Sequence, residues 1–121
     1  MAQYFGMVKC IDDNVGRLMG LLKEWDLEEE TLVIFLSDNG FASIAAGNHV
    51  YGTRAEKPLR AYQAGLRGFK KSPYEGGTKV PAFFRWKGTL GEGVESYALT
   101  AHIDILPTLV DLAGIEAPTA V

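Results

Sequence analysis

The 121-residue sequence contains one cysteine, no long apolar run and no excess of positive charge. A single cysteine, Cys10, excludes a disulfide within the chain, and its neighbours lack the spacing of a zinc or redox motif. No apolar stretch approaches the ~20 residues of a membrane-spanning helix, so we predict no membrane span. The formal net charge of −3 argues against a general nucleic-acid binder. At 47% hydrophobic and 22% charged residues, the composition is that of a small globular domain.

The stretch from Thr31 to Gly40, TLVIFLSDNG, is the most informative part of the chain. Its apolar half does not alternate with polar residues, which is typical of a strand covered on both faces in a parallel sheet. In open α/β sheets, ligands bind beyond the carboxyl ends of the strands. Asp38 and Asn39 follow the strand directly and carry the hard oxygen ligands that Ca²⁺ or Mg²⁺ prefers. The alternative is that Asp-Asn-Gly forms only a turn, such as that of a hairpin.

Helices and a second strand are predicted on either side of this stretch. An apolar stripe at spacings of three and four predicts an amphipathic helix from about Tyr4 to Trp25. Val80 to Trp86 reads as a second strand, with Pro81 tolerated near its start. Asp104 to Ala113 predicts a final helix that begins at an Asp cap and ends at Gly114. These elements predict an α/β fold in which mostly parallel strands are flanked by helices.

Positive charge is concentrated in the long connection between His49 and Pro73, where only Glu56 opposes it. Such a cluster in an acidic chain suits an anionic ligand, although a solvated charged loop has the same composition. His49 lies in the same connection, and a surface histidine is the simpler interpretation. Half of the twelve basic residues lie here: Arg54, Lys57, Arg60, Arg67, Lys70 and Lys71.

Three segments in order resemble the sulfatase family, the sulfuric ester hydrolases of the alkaline phosphatase superfamily. The first is IDDNVGRLMGLLKEWDLEEETLVIFLSDNG, a helix followed by a strand that ends in Asp-Asn-Gly. The second is LRGFKKSPYEGGTKVPAFFRWKG, and the third is HIDILPTLVDLAGIEAP. The resemblance covers nearly the whole chain and implies part of an alkaline-phosphatase-like sandwich.

The resemblance implies roles for three residues. Asp38 and Asn39 match ligands of the divalent cation at the active site, which is usually Ca²⁺. Lys70 matches the lysine that contacts the sulfate group, and Lys71 lies where the family often has glycine. Glu75-Gly76-Gly77 matches a structural turn, to which we assign no chemistry.

Other family features are missing from this sequence. The Cys/Ser-x-Pro/Ala-x-Arg motif, which provides the formylglycine nucleophile, does not occur. The paired aspartates that complete the family's metal site are missing too, because Asp12 and Asp13 lie within the predicted helix, where neighbouring side chains point about 100° apart. Asp38 and Asn39 offer at most three oxygens, whereas Ca²⁺ takes roughly 6–8. We therefore expect residues 1–121 to be the carboxy-terminal portion of a sulfatase catalytic domain that is catalytically silent alone.

The intact enzyme would act on a sulfated small molecule or glycan and bind neither nucleic acid nor membrane, and a periplasmic or secreted location is expected for it. The central strand predicts an open sheet edge, and hence self-association of the separate chain. Two alternatives remain at this point. One is a related phosphatase or phosphonate hydrolase, and the other is a non-catalytic anion-binding or interaction domain.

Overall fold

The computed structural model describes residues 2–41 and 65–116, which fall in two compact units divided after Gly91. The first unit contains a long helix, two short strands and one helical turn. The second contains a short 3-10 turn that leads directly into a helix. The elements in chain order are α1 (Ala2–Glu24), β1 (Val33–Leu36), α2 (Glu75–Thr78), β2 (Ala82–Arg85), the 3-10 turn (His102–Asp104) and α3 (Ile105–Leu112).

Helix α1 confirms the helix predicted from the apolar stripe, and it ends in a Schellman motif. Asp26 adopts a left-handed conformation with φ 56° just after the last helical turn. The Asp26 N–H donates to Lys23 O at 3.2 Å, and the Leu27 N–H donates to Leu22 O at 2.8 Å. Both bonds satisfy carbonyl groups that have no partner within the helix. Leu22, at 9% exposure, is the one buried apolar side chain among the described residues.

Strands β1 and β2 lie within the two predicted strands and pair antiparallel, with Val33 opposite Arg85 and Leu36 opposite Ala82. Phe35 and Phe83 face each other across the pair, with ring centroids 6.3 Å apart. Such aromatic cross-strand pairs stabilise a two-stranded sheet. Helices and strands together give an α/β fold. The mostly parallel arrangement stays a prediction for the rest of the sheet, because an apolar run does not encode the direction of its neighbours.

The acidic connection between α1 and β1 is fixed to the end of β2 by side chains. Glu28 accepts a hydrogen bond from Arg85 Nη2 at 2.6 Å and a longer one from Lys87 Nζ at 3.4 Å. The Trp86 indole N–H donates to Glu29 O at 2.6 Å. The Arg85 hydrogen bond lowers the pKa of Glu28, and Glu28 in turn raises the pKa of Lys87.

The lowered pKa of Glu28 predicts an acid-sensitive contribution to stability. A carboxyl group whose pKa is lowered in the folded state stabilises that state above its ordinary pKa of 4.5, and the contribution is lost as the pH falls through the folded-state value. Glu28→Gln should therefore lower the thermal midpoint at pH 7, and the difference from wild type should vanish in acid. Glu30→Gln is the control, because Glu30 has no side-chain partner among the described residues. A difference that persists unchanged at pH 3 would contradict this assignment.

In the second unit, α3 confirms the predicted final helix and both of its ends are closed. The Asp104 carboxylate accepts from the Ala101 N–H at 2.7 Å, so it closes the preceding 3-10 turn. Asp104 was expected to cap the first turn of the helix, and it instead bonds backwards along the chain. At the other end Gly114 is left-handed with φ 64°, and the Ile115 N–H donates to Val110 O at 3.1 Å. This is the glycine-terminated Schellman motif.

Most apolar side chains in the described ranges remain open to solvent. Along α1, Val8 is 46% exposed and Ile11 is 52% exposed, although both belong to the predicted core stripe. In the sheet, Phe83 is 64% exposed and Phe84 is 48% exposed. None of the helices in the described ranges is both long and apolar enough to span a membrane.

Candidate functional site

The Ser37–Gly40 segment forms a turn at the carboxyl end of β1. The Ser37 N–H donates to Pro81 O at 3.2 Å, and the Ser37 hydroxyl donates to Asn39 O at 3.0 Å. Because β1 pairs with β2, which begins only at Ala82, Asp-Asn-Gly does not form a hairpin between the two strands of the described residues.

Asp38 and Asn39 present oxygen atoms at this turn. The Asn39 side-chain nitrogen donates to Gly40 O at 3.2 Å, which leaves the amide oxygen as an acceptor for another group. Asp38 is exposed, and its carboxylate has no hydrogen bond or ion pair with any residue in the described ranges. No three His, Cys, Asp or Glu side chains in those ranges form a metal-binding group. The hard oxygens of the pair suit a Ca²⁺ site to which other residues would contribute.

Lys70 lies on a second loop that is hydrogen-bonded to the first. The Lys70 N–H donates to Phe41 O at 2.7 Å, and the Gly40 N–H donates to Gly77 O at 3.0 Å. Through these two backbone bonds, Gly40 and Phe41 join the Asp38 turn to the loop that contains Lys70. The structure thus brings the Asp38 turn and the Lys70 loop together at the carboxyl end of β1. The roles of Asp38, Asn39 and Lys70 stay predictions.

Glycines allow the two loops to approach backbone to backbone. A Cβ atom on Gly40 would lie 2.7 Å from the carbonyl carbon of Gly77. A Cβ atom on Gly76 would lie 2.8 Å from Arg67 O, and Gly76 itself is buried. Real Cβ atoms essentially never make such short contacts with backbone atoms. Gly40 is thus required for the contact between the two loops, whereas Gly76 lets the Lys70 loop fold back onto its own backbone at Arg67.

We expect Gly76→Ala to destabilise the joined loops by about 1–3 kcal/mol, the usual cost of forcing extra atoms into a packed site. The Gly76 N–H also donates to Arg67 O at 2.7 Å, and the shift that relieves the overlap would lengthen this bond. Gly16→Ala is the matched control. Gly16 lies in α1 with open space around the added methyl group, so that variant should gain about 0.5–1 kcal/mol. Urea denaturation measures both effects, and a Gly76→Ala protein as stable as wild type would contradict the proposed overlap.

An arginine–tyrosine pair closes the Lys70 loop. The Arg67 guanidinium lies 3.7 Å from the centroid of the Tyr74 ring, and Arg67 Nη2 donates to the Tyr74 hydroxyl at 2.7 Å. The Ser72 hydroxyl oxygen accepts from the Phe69 and Tyr74 N–H groups at 3.2 and 3.4 Å. We did not predict the Arg67–Tyr74 pair, because a spacing of seven residues in a loop has no periodic signal.

The positive cluster predicted from the sequence is described only in part. Arg67 directs its charge at Tyr74, whereas the side chains of Lys70 and Lys71 have no partner among the described residues. The other predicted members of the cluster, Arg54, Lys57 and Arg60, lie outside the described residues, and so does His49.

Comparison with known proteins identifies the family. The sequence model of the sulfatase family matches residues 1–115. The chain belongs to the sulfatase family. The resemblance found in the three sequence segments is therefore confirmed, and the family carries the α/β fold of the alkaline phosphatase superfamily.

Three relatives illustrate the similarity of this sulfatase segment. N-acetylgalactosamine-6-sulfatase of Sus scrofa is 34% identical in an alignment of 121 positions that covers 97% of the segment and 20% of the relative. Steryl-sulfatase of Mus musculus is 36% identical, in an alignment that covers 95% of the segment and 18% of the relative. Human arylsulfatase A is 36% identical, in an alignment that covers 89% of the segment and 19% of the relative. The chain thus spans about a fifth of the length of the curated relatives it matches.

Proposed function

We propose that this sulfatase segment takes part in the hydrolysis of sulfuric esters by contributing Asp38, Asn39 and Lys70 to an active site. The observation that carries the proposal is the hydrogen bond of 2.7 Å from the Lys70 N–H to Phe41 O, which ties the lysine loop to the Asp-Asn turn. A metal ligand pair and a cation for the sulfate group need such proximity. Neither the phosphatase alternative nor the interaction-domain alternative is favoured once the sulfatase family is established.

Asp38 and Asn39 would supply part of a Ca²⁺ site. The Asp38 carboxylate has no partner among residues 2–41 and 65–116, and the Asn39 amide is held with its oxygen available. The cation, when bound, would act as a Lewis acid toward the sulfate oxygens. Three protein oxygens fall short of the roughly 6–8 that Ca²⁺ takes, so residues beyond this segment would complete the coordination.

Lys70 would hold the sulfate group as a compact positive charge. Cleavage of a sulfate ester places negative charge on the sulfuryl oxygens and on the departing oxygen. An ammonium group positioned by the held backbone of this loop would stabilise that charge more than it stabilises the ground state, which is the condition for catalysis. The turn containing Lys70 is held by the Phe41 bond and by the Ser72 N–H, which donates to Phe69 O at 2.9 Å.

The finer features of the fold and the substrate belong to the same proposal. Residues 1–121 would form the carboxy-terminal portion of the catalytic domain, in which further, mostly parallel strands extend the sheet. The substrate would be a sulfated small molecule or glycan. The formylglycine nucleophile implied by the family would come from outside this segment, because its sequence motif does not occur here.

The test compares the separate chain with the complete sulfatase, using an aryl sulfate as substrate. The separate chain should show no turnover. In the complete enzyme, Lys70→Ala should lower kcat/KM by about 10²–10³, as loss of one charge-stabilising donor does in other enzymes. Lys79→Ala serves as the control, because Lys79 is an exposed lysine that follows α2. Hydrolysis by the pure separate chain that is lost in Lys70→Ala would overturn the assignment of the nucleophile to another part of the protein.

A further inference from the structure

Lys71 has a backbone conformation that side chains rarely adopt. Its φ is 76°, in the left-handed region that favours glycine. Gly65 and Gly68 have similar φ values of 75° and 83° in the same stretch, so there the residue type and the conformation agree. At Lys71 the residue type does not suit the left-handed backbone conformation. Strained residues of this kind persist where the surrounding structure holds them in place, and they concentrate at functional sites.

The side chain at this strained position is a second cation next to Lys70. Both lysines are exposed, and neither ammonium group has a partner among the described residues. Their Cα atoms are about 3.8 Å apart, as in any trans dipeptide, and each side chain carries its charge on a flexible four-carbon stem. Arg67, in contrast, is held by Tyr74. The turn therefore offers two cations that are unpaired among the described residues, whereas a single sulfate ester group requires one.

We propose that Lys71 binds a second anionic group of the substrate and so selects sulfate esters that carry another sulfate or a carboxylate. The proposal rests on the proposed role of Lys70 at the sulfate that is cleaved. Lys71 would contact the second group because the backbone bond from the Lys70 N–H to Phe41 O holds both lysines beside the Asp38 turn. The Lys70 loop would then contain the residue that selects substrates by their charge.

The test measures kcat/KM in the complete sulfatase for an aryl monosulfate and for the same compound with a second sulfate or a carboxylate. Lys71→Gln removes the charge. Lys71→Gly also removes it, in a residue that accepts φ 76° without strain, so this variant retains the turn. In both variants the preference for the doubly anionic substrates should fall about three- to tenfold at low salt. Lys71→Arg should retain the preference, and Lys79→Gln is the control that should leave it unchanged.

The outcomes separate this proposal from the one on which it rests. A fall with only one doubly anionic substrate supports the proposal and identifies the second group as sulfate or carboxylate. Equal losses on all substrates, or no loss on any, would overturn it. Salt provides a further check, because a preference that comes from exposed charges should weaken toward 1 M salt. If Lys70→Ala leaves every substrate unaffected, the role of Lys70 fails, whatever Lys71 does.

Discussion

Asp38→Ala in the complete sulfatase should lower kcat/KM by at least about 10³-fold, which corresponds to the several kcal/mol that a catalytic cation contributes. Asp38 is the charged member of the proposed ligand pair, and its carboxylate is free of internal partners in the described ranges. Its removal should weaken the binding of Ca²⁺ as well as activity. Calcium titration of the variant measures the first effect, and steady-state kinetics measures the second.

Two comparisons make this expectation specific. Asp13 is also exposed, but its carboxylate pairs with Lys9 on α1, so Asp13→Ala should affect neither calcium binding nor turnover. His49 lies in the long connection, outside the described residues, and only its position suggests a role. We expect His49→Ala to cost far less than Asp38→Ala. Equal losses in these two variants would mean that the long connection contains a group as important as Asp38, the proposed metal ligand.

The main elements were predictable because each has a local signal. The apolar stripe on α1 recurs at helical spacing, and the unbroken apolar run of β1 is too short and too rich in β-branched residues for a helix. Gly114 and Asp104 mark the two ends of the last helix; Gly114 bonds at its end, whereas the Asp104 side chain bonds to the 3-10 turn that precedes the helix. The turn at Asp38 was predictable for the same reason, since polar residues and a glycine follow the apolar run directly.

The contacts between the loops were not predictable, because they depend on residues far apart in sequence. The Lys70 N–H bonds to Phe41 O, and no pattern in either loop specifies that pairing. The left-handed conformation of Lys71 was also not predictable, because a lysine at this position gives no sign of it in the sequence. Val8 and Ile11 lie on the apolar stripe from which the helix was predicted, yet both are about half exposed. The apolar stripe indicates that one face of α1 is suited to burial. It does not indicate which residues cover that face.

The separate chain should self-associate or be only marginally stable, and the sheet is the main reason. In the described ranges the sheet has two strands, so one edge of β1 and one edge of β2 have no strand beside them. Unpaired strand edges are templates for pairing with another chain. Two isolated strands are also marginally stable in water.

Exposed apolar side chains add to this instability. Phe83 is 64% exposed and Phe84 is 48% exposed, and alternation along β2 places these two rings on opposite faces of the sheet. Both faces are therefore open within the described ranges. Each fully exposed Leu, Ile or Phe side chain forgoes roughly 1.5–3 kcal/mol of burial. A few such side chains equal a large share of the ~5–15 kcal/mol that stabilises a whole domain.

Association of two chains relieves both problems at once, because a second copy pairs an open edge and covers an apolar face. We therefore expect a mass above that of the 13.2 kDa monomer in sedimentation at micromolar concentration, or else a broad thermal transition at low temperature. Phe83→Ser should shift the association toward monomer, because it removes the most exposed ring of the sheet, whereas Lys79→Ser should not. A monomer with a steep thermal transition would show that the chain completes its own core. The strands and helices expected from the longer protein would then be unnecessary for covering β1.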